Sequence, residues 1–264
     1  MPARTISSSQ NWDIRRLKAL RDRRDIRHAE RLFVVEGPRF VLDASRSETP
    51  RQLVLAESAL PAWSDDWLPG IDTIIVPDRL FADVSSTQSP QGVLAVFAIA
   101  DAQPIRPAPQ LTIVADGVQD PGNLGTMIRS AAANGASQLL YTPGTVDPYN
   151  PKVVRSAAGS HVLVAITSSD DLVGDLAGSI VYIAEGVGGI PVDEVDWSKA
   201  SAVLIGSEAR GPGSVAHSLE ATVITIPMLM SVDSLNAGVA ASIILYEAFR
   251  QRRQGDRTGA ASLQ

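Results

Sequence analysis

The sequence predicts an α/β protein in two parts. A smaller α/β domain fills residues 1–100, and a larger domain built on a parallel sheet fills 111–254. Three observations predict this. From residue 111 onward, six apolar runs of strand length recur: LTIVADGV, ASQLLYT, VLVAIT, SIVYIAEG, SAVLIGSE and ATVITIP. Continuous rather than alternating runs mark strands covered on both faces, as in a parallel sheet. Two of these runs end in glycine-rich turns, DGVQDPGNLG and GSEARGPG, where α/β proteins bind ligands. Between the two parts lies DAQPIRPAPQ (101–110), whose three prolines read as a stiff linker that cannot join a sheet interior.

In chain order, Asn11–His28 reads as a charged helix, LFVVEG (32–37) as a short buried strand and PRFVLDAS as a helix. RQLVLAE, DTIIVPD and GVLAVFAIA (92–100) read as strands. In the C-terminal part, helices are expected to start near Asn123, Pro151 and Ser234. GVGGIP (186–191) mimics part of a dinucleotide fingerprint but lacks the following helix, and reads as a loop. The polar stretch after Phe249 is expected to fray, leaving 255–264 as a flexible tail.

At 264 residues, 45% hydrophobic and 20% charged, the chain describes a soluble globular protein. No apolar run approaches the ~20 residues of a membrane span, and MPARTISSSQNWD lacks the apolar centre of a signal peptide. Cysteine is absent, which excludes a disulfide framework, a thiolate zinc site and a cysteine nucleophile. A cytoplasmic location with no membrane partner is expected. The net charge of −6 is unevenly spread: between Arg4 and Arg31, nine Lys/Arg face four acids, leaving +5 there and −11 elsewhere. Such a segment attracts phosphate locally, because salt screens the rest of the molecule beyond about 10 Å. A solvated helix face is the plainer alternative.

His28, His161 and His217 are not spaced for a metal, and no metal is expected. In DGVQDPGNLGTMIRSAAANGA, Asn123 is a good N-cap at a helix start. Arg129 stands in a run of small and apolar residues, which suggests packing, where a guanidinium needs an anion or polar ligand. The two lie about 1.7 turns apart and converge only if Asn123 sits in the turn before the helix. Glu208 stands between Gly206 and Gly211, whose lack of side chains lets backbone approach a ligand. In IPMLMSVDSLNAGVAASIILYEAF, Ser234-Leu235-Asn236 open a helix, with Ser234 the plain reading for its N-cap. That helix is apolar nearly all round, which calls for a second covering surface such as a subunit interface.

Together these segments resemble the SpoU (TrmH-like) branch of the SPOUT superfamily, RNA 2′-O-ribose methyltransferases. The family's first motif falls on Asn123 and Arg129, its second on Gly206, Glu208 and Gly211, and its third on Ile226 to Met228 and Ser234 to Asn236. PKVVRSAAGSHVLVAI (151–166) is similar to a further family stretch, and the N-terminal part to the family's ribosomal-protein-like substrate-binding domain. Ser207, Met230 and Asp233 depart from the commoner family residues.

The resemblance implies a trefoil-knotted sheet, a homodimer through the C-terminal domain, and S-adenosylmethionine as cofactor. Gly206, Ile226, Met228, Ser234, Leu235 and Asn236 would contact that cofactor. Arg129, Asn123, Glu208, Ser234 and Asn236 would form the catalytic set, with Arg129 favouring the ribose alkoxide. Arg15, Arg16, Lys18, Arg23, Arg24 and Arg27 would meet RNA. Ribosomal RNA, of the large subunit, is favoured over tRNA because of the N-terminal module. A non-catalytic RNA-binding assembly factor on the same fold is the alternative from another class.

Overall fold

The computed structural model describes residues 3–63, 68–100, 111–207, 211, 213, 219–229 and 234–261, with side chains as far as 254. The expected linker 101–110, Glu208 and His217 lie outside the described residues. The chain forms two compact units: Met1–Asp101 with Asp147–Leu163, and Ala102–Val146 with Val164–Gln264. Segment 147–163, expected within the C-terminal domain, thus packs with the first unit.

In the first unit, β1 (Arg4–Thr5), β2 (Leu32–Glu36), β3 (Gln52–Ala56), β4 (Thr73–Val76) and β5 (Val93–Ala98) form a sheet of order β1-β4-β3-β5-β2. The β1-β4-β3 edge is parallel and β5 runs antiparallel to both its neighbours. Helix α1 (Trp12–Asp22) and helix α4 (Asp78–Val84) bury Ile14, Leu17, Leu20, Leu80, Phe81 and Val84 against Val54, Ile74, Leu94 and Val96. Strand alternation turns Phe33 and Val35 to the opposite side. There α3 (Pro38–Ser45) and segment 147–163, with its short helix α6 (Pro151–Ser156), complete the core. Phe33 lies 5.2 Å from the Tyr149 ring and 5.4 Å from His161. Gly159 has φ +74, and a Cβ there would stand 3.2 Å from Val35 Cγ1, so glycine permits this close approach.

The single charged helix expected over Asn11–His28 is two. Helix α1 ends at Asp22, Arg23 is extended, and α2 (Arg24–Glu30) follows. The cause is Arg27. Its guanidinium is buried, donates to the carbonyls of Leu20 and Arg21 at the end of α1, and pairs with Asp147 at 2.5 Å. A buried guanidinium holds its charge only with such partners.

His161 is buried among aromatic rings, with Nε2 2.8 Å from the carbonyl of Pro148 and Nδ1 without a hydrogen-bond partner. Burial pushes its pKa from 6.5 down to about 4, against smaller raising effects from Pro148 and Asp147. Between those two values the unfolded chain binds a proton that the folded one refuses. Stability therefore falls as pH drops through this window, by about 3 kcal/mol in total. Urea denaturation of His161→Gln between pH 7 and pH 4 should show a shallower pH dependence than the parent chain; equal slopes would contradict this.

In the second unit, β6 (Leu111–Asp116), β7 (Gln138–Tyr141), β8 (Ala165–Ser168), β9 (Ile180–Ala184), β10 (Ile190–Pro191), β11 (Ser201–Gly206) and β12 (Ala221–Thr225) form one sheet. Its order is β10-β12-β9-β11-β6-β7-β8, and every pairing is parallel. All six expected runs are strands. The GVGGIP stretch, expected as a loop, ends in β10: Gly189 has φ +80, and a Cβ there would fall 2.4 Å from the Val223 carbonyl oxygen. Only glycine lets the chain turn so close to β12. Helices α5 (Pro121–Ala133), α7 (Leu172–Asp175) and α8 (Ala237–Ala261) complete the unit. The last remains helical well past Phe249, through residues expected as a polar tail.

Candidate active site

Parallel pairing brings the C-terminal ends of β6, β9, β11 and β12 to one edge, the usual ligand position in an open α/β sheet. Beyond β9, β11 and β12 opens a cleft of about 540 Å³. Gly206, Ile226, Met228, Ser234, Leu235 and Asn236, the six expected cofactor contacts, all line it. Ser207, noted above only as a departure from the commoner family residue, also lines it, as does Glu185, which sequence reading had not singled out. At the second glycine-rich segment, Ser207 N–H donates to the Gly211 carbonyl at 3.1 Å and Gly211 N–H to the Ser207 carbonyl at 2.8 Å. This places Gly206 and Gly211 against the cleft.

Asn236, rather than Ser234, caps α8. Its Oδ1 accepts from Val239 N–H at 3.1 Å, and its carbonyl accepts from Ala240 N–H. Ser234 lies two residues earlier and is exposed. At the start of α5 the cap is Asp120, whose Oδ1 accepts from Asn123 N–H at 2.8 Å, with Pro121 at the first helical position. Asn123 is therefore not the cap but a buried residue of the first turn. Helices α5 and α8 touch there. A Cβ on Gly238 would sit 3.2 Å from Asn123 Cα and 3.0 Å from Thr126 Cβ, so Gly238 brings Asn123 beside the opening turn of α8. Farther along, Ser130 and Ser242 share a hydrogen bond of 2.7 Å.

Arg129 departs from expectation. Leu124, Met127, Ile128 and Ala131 form the buried face of α5, and Arg129 points to solvent. Since Asn123 is helical, the six-residue spacing sets the two about 120° apart around the axis and ~9 Å along it. They do not converge on one face of α5. Among the described residues Arg129 has neither a hydrogen-bond nor an ion-pair partner.

Sequence reading missed Asp116. It ends β6, is 7% exposed, accepts from Thr142 Oγ1 at 2.7 Å and from Gly213 N–H at 2.6 Å. Thr142 Oγ1 in turn accepts from Gly117 N–H. One carboxylate thus ties the turns after β6 and β7 to the glycine-rich turn after β11. An acid ending an otherwise apolar run was the signal available.

Of the six side chains expected to meet RNA, Arg27 is removed by its buried pairing with Asp147. Arg16 pairs with Glu30, Lys18 with Asp83 and Arg23 with Asp25. Arg15 and Arg24 are exposed and have no ion pair among the described residues.

Two family models match the chain: the SpoU rRNA Methylase family over residues 110–246 and an MRM3-like substrate binding domain over 11–95. The 23S rRNA (guanosine(2553)-2′-O)-methyltransferase RlmP of Bacillus subtilis is 32% identical, covering 91% of this chain and 97% of the relative. Among solved structures, the AdoMet-bound rRNA methyltransferase of Sinorhizobium meliloti superposes with a TM-score of 0.78 at 29% identity, covering 94% of this chain and 98% of that one. The SpoU methyltransferase AviRb of Streptomyces viridochromogenes, in complex with AdoMet, gives 0.76 at 29% identity, covering 92% and 100%.

Proposed function

This chain belongs to the SpoU rRNA methylase family, and on that footing we propose that it methylates one ribose 2′-hydroxyl of large-subunit ribosomal RNA. It is an S-adenosylmethionine-dependent RNA 2′-O-methyltransferase with an N-terminal substrate-binding domain. The observation that carries the site reading is the gathering of six separated residues, from Gly206 to Asn236, around one cleft at the strand ends.

The residues suit the cofactor. The cleft volume lies within the range for ligands of this size. Ile226, Met228 and Leu235 offer apolar walls, Ser234 and Asn236 offer hydrogen bonds, and Glu185 offers a carboxylate to a cationic ligand. When bound, S-adenosylmethionine supplies a methyl group on an electrophilic sulfonium. The protein must then align the ribose oxygen with that methyl and help the hydroxyl lose its proton. Arg129, exposed and unpaired among the described residues, is the cation we assign to the hydroxyl, whose ionised form it favours. Asn123, Glu208, Ser234 and Asn236 position the reactants.

Asn236 serves both the α8 cap and the cleft. Asn236→Ala should cost about 1 kcal/mol of stability and weaken both cofactor binding and turnover. Asn236→Asp, which restores a cap acceptor, should recover the melting temperature. Thermal melts and calorimetry check this. Full cofactor affinity in Asn236→Ala would remove the side chain from the site.

Two further parts of the reading concern assembly and topology. The homodimer is supported by Val239, Ile243 and Tyr246, which form an exposed i, i+4, i+7 stripe on α8. Val239→Glu with Ile243→Glu should yield a monomer by light scattering, because a buried aliphatic side chain contributes ~2 kcal/mol. An unchanged dimer would place the interface elsewhere. The trefoil knot is supported by strand order, with β11 between β9 and β6 and α8 returning after β12 to pack on α5 and β11. A cytoplasmic location accords with the absence, among the described residues, of any helix long and apolar enough to cross a membrane.

A further inference from the structure

The first unit has two basic sides, and they are unlike. On the α1/α4 side, Arg16, Lys18, Arg21 and Arg23 each reach an acid within 3.2 Å. This leaves Arg15 on α1, Arg24 on α2 and Arg79 on α4 exposed without an ion pair among the described residues, each on a different helix. On the other side, α3, α6 and the loop 85–91 meet. Phe40, Ser86, Thr87, Pro151 and Arg155 line one small cleft, and Arg155 donates to the Ser86 carbonyl at 3.0 Å. Gln91 Oε1 lies 3.3 Å from where a Cβ on Gly37 would stand, beside the start of α3.

Three cations here lack close acidic partners. Arg39 is 87% exposed and reaches only Asp43, at 3.7 Å. Lys152 and Arg155 are exposed and make no ion pair among the described residues. Glu36, the acid at this spot, is consumed: it accepts from Ser85 Oγ, from Ser86 N–H and Oγ, and from Thr87 Oγ1. That network fixes the loop and leaves Gln88, Ser89 and Gln91 exposed as neutral donors and acceptors. Exposed cations, two of them without an ion pair among the described residues and one only loosely paired, beside neutral amides and a hydroxyl fit a phosphate backbone flanked by ribose hydroxyls and base edges.

We propose that this α3/α6 face, carrying Arg39, Lys152 and Arg155, is the RNA-docking face of the first unit, and that α1 is not. The inference rests on the RNA-methyltransferase reading. Lys152 and Arg155, which lie in the stretch matched by the methylase family model, thereby serve substrate docking within the first unit.

The test uses the full chain and protein-free large-subunit ribosomal RNA as probe, with binding measured across a salt series. Arg39→Gln/Lys152→Gln/Arg155→Gln should lower the log–log salt slope by about two to three units, at 0.7–0.9 per phosphate contact. Arg15→Gln/Arg24→Gln should change it by less than about half a unit. An unchanged slope in the triple variant, or an equal loss in the α1 pair, overturns the proposal. If the triple variant no longer unfolds cooperatively, Arg39→Gln/Lys152→Gln decides, with an expected loss of about 1.5 units; no loss there is equally fatal. Methyl transfer by the unmutated protein is scored in parallel. Its failure counts against the enzymatic reading, whereas the slopes judge the docking face alone.

Discussion

Arg129→Ala is expected to lower kcat for methyl transfer by about 10²–10⁴-fold, the range for a group that assists proton removal. Cofactor affinity should stay within a few-fold and the melting temperature should not move. The geometry supports this separation. Arg129 projects from α5 into solvent, lies outside the cleft lining and holds no partner among the described residues, so its removal breaks no packing. Surface changes of that kind alter stability by less than about 0.5 kcal/mol. Arg129→Lys keeps the charge but not the planar fork, and should recover part of the rate. Calorimetry and single-turnover kinetics are the measurements. A loss of cofactor affinity as large as the loss of rate would reassign Arg129 to a structural role.

Asp147→Ala is expected to destabilise the protein by about 3–5 kcal/mol, since it strands a buried guanidinium. Asp147 accepts from Arg27 Nε at 3.0 Å and Nη2 at 2.5 Å, from His28 Nε2 at 3.1 Å and from Tyr149 N–H at 3.2 Å. Both charged side chains are no more than 6% exposed. Replacing the pair by apolar residues, Arg27→Met with Asp147→Leu, should cost less than either single loss, because no charge is left unpaired. Urea denaturation of the four chains closes the cycle. The same experiment separates two roles for Arg27. If Arg27→Met weakened RNA binding while leaving stability intact, the side chain would belong with the substrate after all.

What was legible in the sequence follows from the range of each interaction. The parallel sheet was readable because six of its seven strands are continuous apolar runs, and the cleft because its residues stand where those runs end. Arg129 was misjudged as packed because its neighbours are small and apolar. Yet Leu124, Met127 and Ala131 already mark the buried face of α5 at helical spacing, and Arg129 falls off it. The basic stretch from Arg15 to Arg27 read as an RNA surface in part because two of its partners, Asp83 and Asp147, are remote in sequence. No local pattern announces such pairs. The docking of segment 147–163 on the first unit was hidden for the same reason: Phe33, Tyr149 and His161 meet across more than a hundred residues. Capping was half legible. Asn123 and Ser234 are residue types that cap helices, but Asp120 and Asn236 have the positions that reach the free N–H groups.

The central claim is that this chain transfers a methyl group from S-adenosylmethionine to a ribose 2′-oxygen of large-subunit ribosomal RNA. Incubation with labelled cofactor and total RNA, followed by nuclease digestion and mass-spectrometric mapping, tests it most directly. The expected result is label in a single 2′-O-methylnucleoside of the large-subunit RNA, absent with Arg129→Ala. Label on a base, or label confined to tRNA, would contradict it.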